Sequence, residues 1–505
     1  MRRALALAVP ALVLVGAAYA AVLVTRPDPL QHAVADGCRH DRQAIFAGLA
    51  PNWVYVEDRN FPADGPSPPP QWVTGIVQAV NQPALAAHPA VVDNPLTHLS
   101  YDFNVNVLPD PAYAALAGGS PAERTGNFGG EGEDVGRLHT EREAGSTPRF
   151  AWPERGDRVS ELGSWVWDCD HDAFGERTEF HPYRASWVQR RPQGARSAPS
   201  PSSPSGEAEG DLFVSTDATP AGIIAECAHR TKGSNLKDCF RTRPNWLSVN
   251  GHYGFTLPAP PRPSPGARLR VRVVDRGSTR NAPALKVIVG TAGVKISFDV
   301  QAPELERVVV AKQVFAGWSP MPPRALPEHL RVTLTKLLVR RAMDPSCPAD
   351  KPQCPNRAQT TRLGQIGDAP GEWNLYWDVD GIWGQWSPAT LRARDGQSFA
   401  GRQTVDVYVP RGRPWRLFAI ARECDFGVLG SFGGQSVPVG PCPRSAEIGN
   451  SAGDDAPGAL EVRFASPARS LGTHTVNSSV RGSTCPPENT KGCFALSFTV
   501  ARVVP

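Results

Sequence analysis

The side chains best suited to chemistry fall in three short fragments: His139-Thr140-Glu141, Asp168-Cys169-Asp170-His171 and Glu179-Phe180-His181. In each, an imidazole sits two or three positions from a carboxylate, the donor set from which Zn, Mn or non-haem Fe sites are built. A bound divalent ion acidifies its water from ~15.7 to ~7, and a neighbouring carboxylate can take the proton. The sequence offers His139, Glu141, His171 and His181 as ligands to a divalent transition metal, with Glu179 or Asp168 as the base. His98 and Asp102 complete the candidate set, as orienting groups or as ligands to a second ion.

Clustering carries this reading, because an isolated His-x-Glu arises often by chance. Four of the eleven histidines, His98, His139, His171 and His181, fall within 84 residues, each no more than four positions from an acid. The competing reading is a group of polar surface residues with no ligand. None of the named metal signatures is present: no His-Glu-x-x-His, no EF-hand loop, no Cys-x-x-Cys pair. A phosphate-cradling glycine loop, a dinucleotide fingerprint and a Gly-x-Ser-x-Gly elbow are also absent.

Strands would have to deliver these side chains. Residues at i and i+2 share a strand face, so His139 projects with Glu141, and Glu179 with His181. Two such pairs on neighbouring strands converge. Trp165 and Trp167 alternate with Ser164, Val166 and Asp168, which predicts a buried strand ending at Asp168. From Thr97 to Val107 the alternation is clean, with Leu99, Tyr101, Phe103, Val105 and Val107 on one face. The other face carries His98, Ser100, Asp102, Asn104 and Asn106. These short hydrogen-bonding groups suit a site wall better than a solvated surface.

The chain of 505 residues is long enough for two to four cores. Lysine plus arginine exceeds aspartate plus glutamate by 4, a near balance that gives no reason to invoke nucleic acid. Arg2 and Arg3 precede an uncharged apolar run from Ala4 to Val24, long enough to cross a ~30 Å hydrocarbon core. Residues 1–24 therefore read as a signal peptide or signal anchor, with the remainder outside the cytoplasm and membrane contact confined to this segment. Eight of the ten cysteines form close sequential pairs, among them Cys485 with Cys493, as an oxidising compartment favours. Cys38 and Cys169 remain.

Short alternating strands separated by turn residues predict a mostly β, multidomain protein. Residues 25–210 would form a β-rich metal-site domain, with the Pro/Ser-rich stretch 192–210 as a hairpin loop. Residues 211–325 would form a second β unit and 326–505 an antiparallel β-sandwich. Trp53-Val54-Tyr55-Val56 and Trp72-Val73 look like edge or wrapping segments, and Asp110 to Gly118 like a short helix capped by Asp110. Glu372 to Trp383 reads as a hairpin with an Asp380-Gly381 turn.

Two functions fit these features. One is a metal-dependent hydrolase of an ester, phosphoester or envelope glycan. The other is a non-catalytic cell-surface protein that binds envelope polymer and holds at most a structural metal.

Overall fold

The computed structural model describes residues 53–55, 69–81, 102–117, 136–143, 147–168, 177–190, 206–216, 248–302, 306–319, 321, 326–343, 371–386, 391–423, 430–432, 435–437, 455–481, 483, 485 and 488–504. The apolar run at 1–24, His98, His171 and every cysteine except Cys485 and Cys493 lie outside them. Among the described residues, no helix is long and apolar enough to cross a membrane. The protein is mostly β and is built from several separate antiparallel sheets.

The N-terminal sheet uses β1 (Trp53–Tyr55), β2 (Gln71–Asn81), β3 (Asp102–Pro109), β4 (Leu138–Glu143), β5 (Arg158–Asp168), β6 (Arg177–Gln189) and β7 (Glu207–Ser215). Five of these strands close on themselves. β2 pairs with β3, β3 with β4, β4 with β6, β6 with β5, and β5 with β2. Every junction is antiparallel except β4 with β6, which run parallel with His139 opposite Glu179. The result is a small Greek-key barrel, a closure that removes sheet edges.

Alternation fills the barrel interior as strand geometry requires. Phe103, Val105 and Val107 from β3, Val73 and Val77 from β2, and Leu138, Val159, Phe180 and Tyr183 form one buried cluster. β2 is therefore an internal strand between β5 and β3, not the edge segment its aromatic start suggested. The predicted helix after Asp110 is a 3-10 helix, Pro111–Ala117, and the Asp110 carboxylate pairs with Arg158.

The long β5–β6 hairpin bends where its register shifts around Gly163, beside the cis His181-Pro182 bond. A Cβ on Gly163 would lie 2.7 Å from Phe180 Cβ, so only glycine lets these two strands approach this closely. Beyond the bend, the second half of β6 stays paired with β5 and on its other side pairs with β7, Gln189 opposite Gly210. The two strands are antiparallel neighbours, and β7 begins at Glu207, inside the stretch 192–210 expected to be loop.

The same sheet continues across position 210 into the second unit. β8 (Gly251–Pro258), β9 (Leu269–Asp275), β10 (Lys286–Val289), β11 (Gly293–Val300) and β12 (Val309–Trp318) follow in sequence. β12 pairs with β7 and β9, while β10, β11 and β8 form a separate three-stranded sheet. Trp187, Leu212, Val214, Tyr253, Phe255 and Phe298 belong to the core shared by these strands.

A sandwich closes the chain. Its strands are β13 (Glu328–Val339), β14 (Gly371–Val379), β15 (Ile382–Gln385), β16 (Leu391–Ala393), β17 (Ser398–Val409), β18 (Trp415–Glu423), β19 (Gly430–Phe432), β20 (Gln435–Val437), β21 (Asp455–Phe464), β22 (Gly472–Asn477) and β23 (Phe494–Arg502). One sheet runs β17-β13-β23-β22 and the other β15-β14-β18-β21, with β16 beside β14 and β19–β20 forming a separate pair. Leu334, Trp373, Trp415, Leu417 and Phe498 lie in one common core. The predicted Asp380-Gly381 turn joins β14 to β15, both residues having positive φ, as a tight two-residue hairpin turn demands. The Cys485–Cys493 disulfide forms as predicted, with an S–S distance of 2.06 Å.

Candidate metal centre

The barrel wall has two faces, and the candidate chemistry sits on the outer one. On β3 the residues between the core positions are Asn104 and Asn106, which pair in register with Glu141 and His139 on β4. On the other side of β4, Glu179 of β6 lies opposite His139. Three adjacent strands thus raise Asn106, His139 and Glu179 in one row across the sheet, with Asn104 and Glu141 in the next.

His139, Glu141 and Glu179 each offer one ligand atom, and these atoms lie within 4.8 Å of one another. One imidazole and two carboxylates are a donor set for a divalent transition ion. His139 Nδ1 lies 2.7 Å from Asn106 Oδ1. An amide oxygen only accepts, so this contact favours the tautomer with the proton on Nδ1, the form whose Nε2 can ligate a metal. That nitrogen lies 3.6 Å from Glu141 Oε2. His181 Nδ1 donates to Glu179 Oε1 at 2.9 Å, the second face-sharing pair read from the sequence. Asn106 and His181 thereby each hold one member of this trio in place, the kind of outer support that metal sites use.

Burial makes this convergence notable. The side chains of His139 and Glu141 are 12% and 9% exposed. Those of His181 and Glu179 are 5% and 2% exposed.

Of the predicted site residues, His139, Glu141 and Glu179 converge and His181 stands directly behind Glu179. Glu179, expected as the base, is itself one of the three converging groups. Asp168 ends β5 two positions beyond Val166, the cross-strand partner of Glu179. Asp102 opens β3 opposite Glu143. For Asp102 and Asp168 only the backbone is described, and His98 and His171 lie outside the described residues.

Sequence reasoning missed a second acid in the same wall. Glu161 of β5 faces the barrel interior, is 0% exposed, and its carboxyl is pushed up to about 7 by burial, with the Thr140 hydroxyl opposing. Its β5 neighbourhood alternates Val159, Glu161 against Ser160, Leu162, a pattern that does not mark the acid as internal.

Comparisons with known proteins assign no family. No family model matches the chain, and no curated protein matches it. Among solved structures, a human GIVD cytosolic phospholipase A2 is 9% identical, covering 87% of this chain and 33% of that one, with a TM-score of 0.18. This chain thus spans about a third of the phospholipase's length. The calcium-bound tandem C2 domains of extended synaptotagmin 2 are 9% identical, covering 87% of this chain and 98% of that one, with a TM-score of 0.18. A longer portion of that protein, its SMP domain followed by the same tandem pair, gives 8%, 92%, 95% and 0.19 in the same order. TM-scores this low do not establish a shared fold.

Proposed function

We propose that this chain is an extracytoplasmic metal-dependent hydrolase with one divalent transition metal, Zn, Mn or Fe, on the outer face of the barrel. The observation that supports it is the approach of His139, Glu141 and Glu179 ligand atoms to within 4.8 Å of one another. Three protein ligands are the number hydrolytic centres use, since a fourth position is left for water or substrate. When bound, such an ion lowers the pKa of a coordinated water towards neutrality. Around it, Asn106 holds the His139 tautomer and His181 steadies the Glu179 carboxylate. Asp168, at the end of β5, takes the base role that Glu179 gives up as a ligand. The substrate class is an ester, phosphoester or envelope glycan, and the N-terminal apolar run is the export signal.

One observation favours a second reading, a non-catalytic surface protein that binds envelope polymer and keeps a structural ion. No side chain of the cluster is more than 12% exposed, and closed sites are the structural ones. Cobalt separates the two readings. In the Co2+-loaded protein, added azide shifts the visible d–d bands if a coordination position is open, and hydrolysis of a p-nitrophenyl ester or phosphoester accompanies that shift. Bands that ignore azide, with no turnover, mark a structural ion.

A further inference from the structure

Elsewhere in the molecule, six separated segments enclose a cleft of about 470 Å³, within the ~300–1,000 Å³ span of ligand sites. Phe150, Phe213, Val309 and Ile382 give it an apolar lining. Arg276 lies in its wall and is 8% exposed. The guanidinium is held on three sides. One Nη donates to Gln313 Oε1, the other to the Tyr408 carbonyl at 2.6 Å, and the Phe150 ring lies 4.7 Å beneath. Its Nε–H is itself buried and has no hydrogen-bond partner among the described residues.

A buried donor without a partner is uncommon, and a guanidinium fixed in place is ready for an oxyanion. Burial lowers the Arg276 pKa to about 10, with Asp211, Asp380 and Glu209 opposing, so the group stays charged at neutral pH. Of the acids around it, Asp406, Asp211 and Glu209 are engaged. Asp406, also in the lining, accepts two bonds from Arg331, at 2.8 and 3.0 Å. Asp211 and Glu209 lie behind Gln313, which donates to both. Asp380 faces Arg149 Nη1 at 3.8 Å, and its Oδ1 accepts no hydrogen bond among the described residues. Arg307, exposed, adds a third arginine to the lining.

We infer that this cleft binds a small molecule bearing a carboxylate or phosphate, with Arg276 as the anchor. Arg307 and Arg149 add positive charge around the opening, and Asp380 favours an acid that carries a nearby hydroxyl or amine. The apolar lining covers the rest of the ligand.

Isothermal titration calorimetry of the full chain tests this, with inorganic phosphate and malate as probes at constant ionic strength. Saturable one-site heat is expected from at least one probe, and which of them gives it tells phosphate from carboxylate. Arg276→Lys, which keeps the charge but loses the planar guanidinium, should bind about tenfold more weakly. Arg307→Ala should weaken binding severalfold. If Arg276→Lys loses the wild-type circular dichroism, the exposed Arg307 carries the test alone. No saturable heat from folded wild-type protein overturns the proposal. Equal affinity in wild type and folded variants also overturns it, since that result means an adventitious ion only.

Discussion

Glu161 and Glu179 are both buried in one barrel wall, on neighbouring strands, yet they face opposite ways. Glu179 looks outward, where His181 donates to it and His139 and Glu141 stand within 4.8 Å. Glu161 looks inward among Val159, Tyr183 and Val188, and burial pushes its carboxyl up to about 7. Equal burial therefore yields different chemistry. Glu179 has a hydrogen-bond donor beside it, whereas Glu161 faces apolar side chains and tends to take up a proton.

The largest effect should come from breaking the outward member. Glu179→Gln removes an anionic ligand from the set of three, and the purified variant should retain no stoichiometric metal by elemental analysis, as should His139→Ala. Retention of a full equivalent in either variant would dissolve the distinction between the two faces.

Breaking the inward member should act on stability instead. The folded-state pKa of Glu161, about 7, lies above its ordinary 4.5, so the native state holds the proton more tightly. Wild-type stability should then fall as pH rises from about 4.5 to about 7 and level off above that. Glu161→Gln should flatten this fall and be more stable than wild type at pH 8 by up to about 3 kcal/mol. Urea unfolding across that pH range reads the difference, and parallel curves for the two proteins would contradict it.

The bend that aims the two faces is a third point of attack. Gly163→Ala places a Cβ against Phe180, whose neighbours in sequence are Glu179 and His181. It should cost about 1–3 kcal/mol by thermal or urea denaturation, and an unchanged midpoint would show that the strands can part without penalty. The smallest effect belongs to the orienting group. Asn106→Leu removes the acceptor that fixes the His139 tautomer, and should weaken metal binding roughly tenfold in competition with a chelator while the circular dichroism is unchanged.

Much of this arrangement was legible in the sequence, because strand alternation is local. Phe103, Val105 and Val107 are buried as their spacing predicts, and Asn104 and Asn106 share the face of His139 and Glu141. The two His/Glu pairs meet because β4 and β6 are neighbours. That adjacency was open from sequence alone, since it rests on two parallel register pairs between strands far apart in the chain. Closure of the barrel was hidden for the same reason, as was the internal place of β2. The register shift near Gly163 and the turn back of Tyr183 into the core break simple alternation, so β6 could not be assigned faces along its whole length. Arg276 meets the Tyr408 carbonyl across 132 positions, a contact with no local signature.

Anomalous diffraction at the metal absorption edge, from crystals of the full chain grown with metal, tests the central claim most directly. The account predicts one peak per chain, about 2.0–2.2 Å from His139 Nε2 and from a carboxylate oxygen of both Glu141 and Glu179. Crystals in which that face carries no anomalous peak, or in which the peak lies elsewhere, would contradict it.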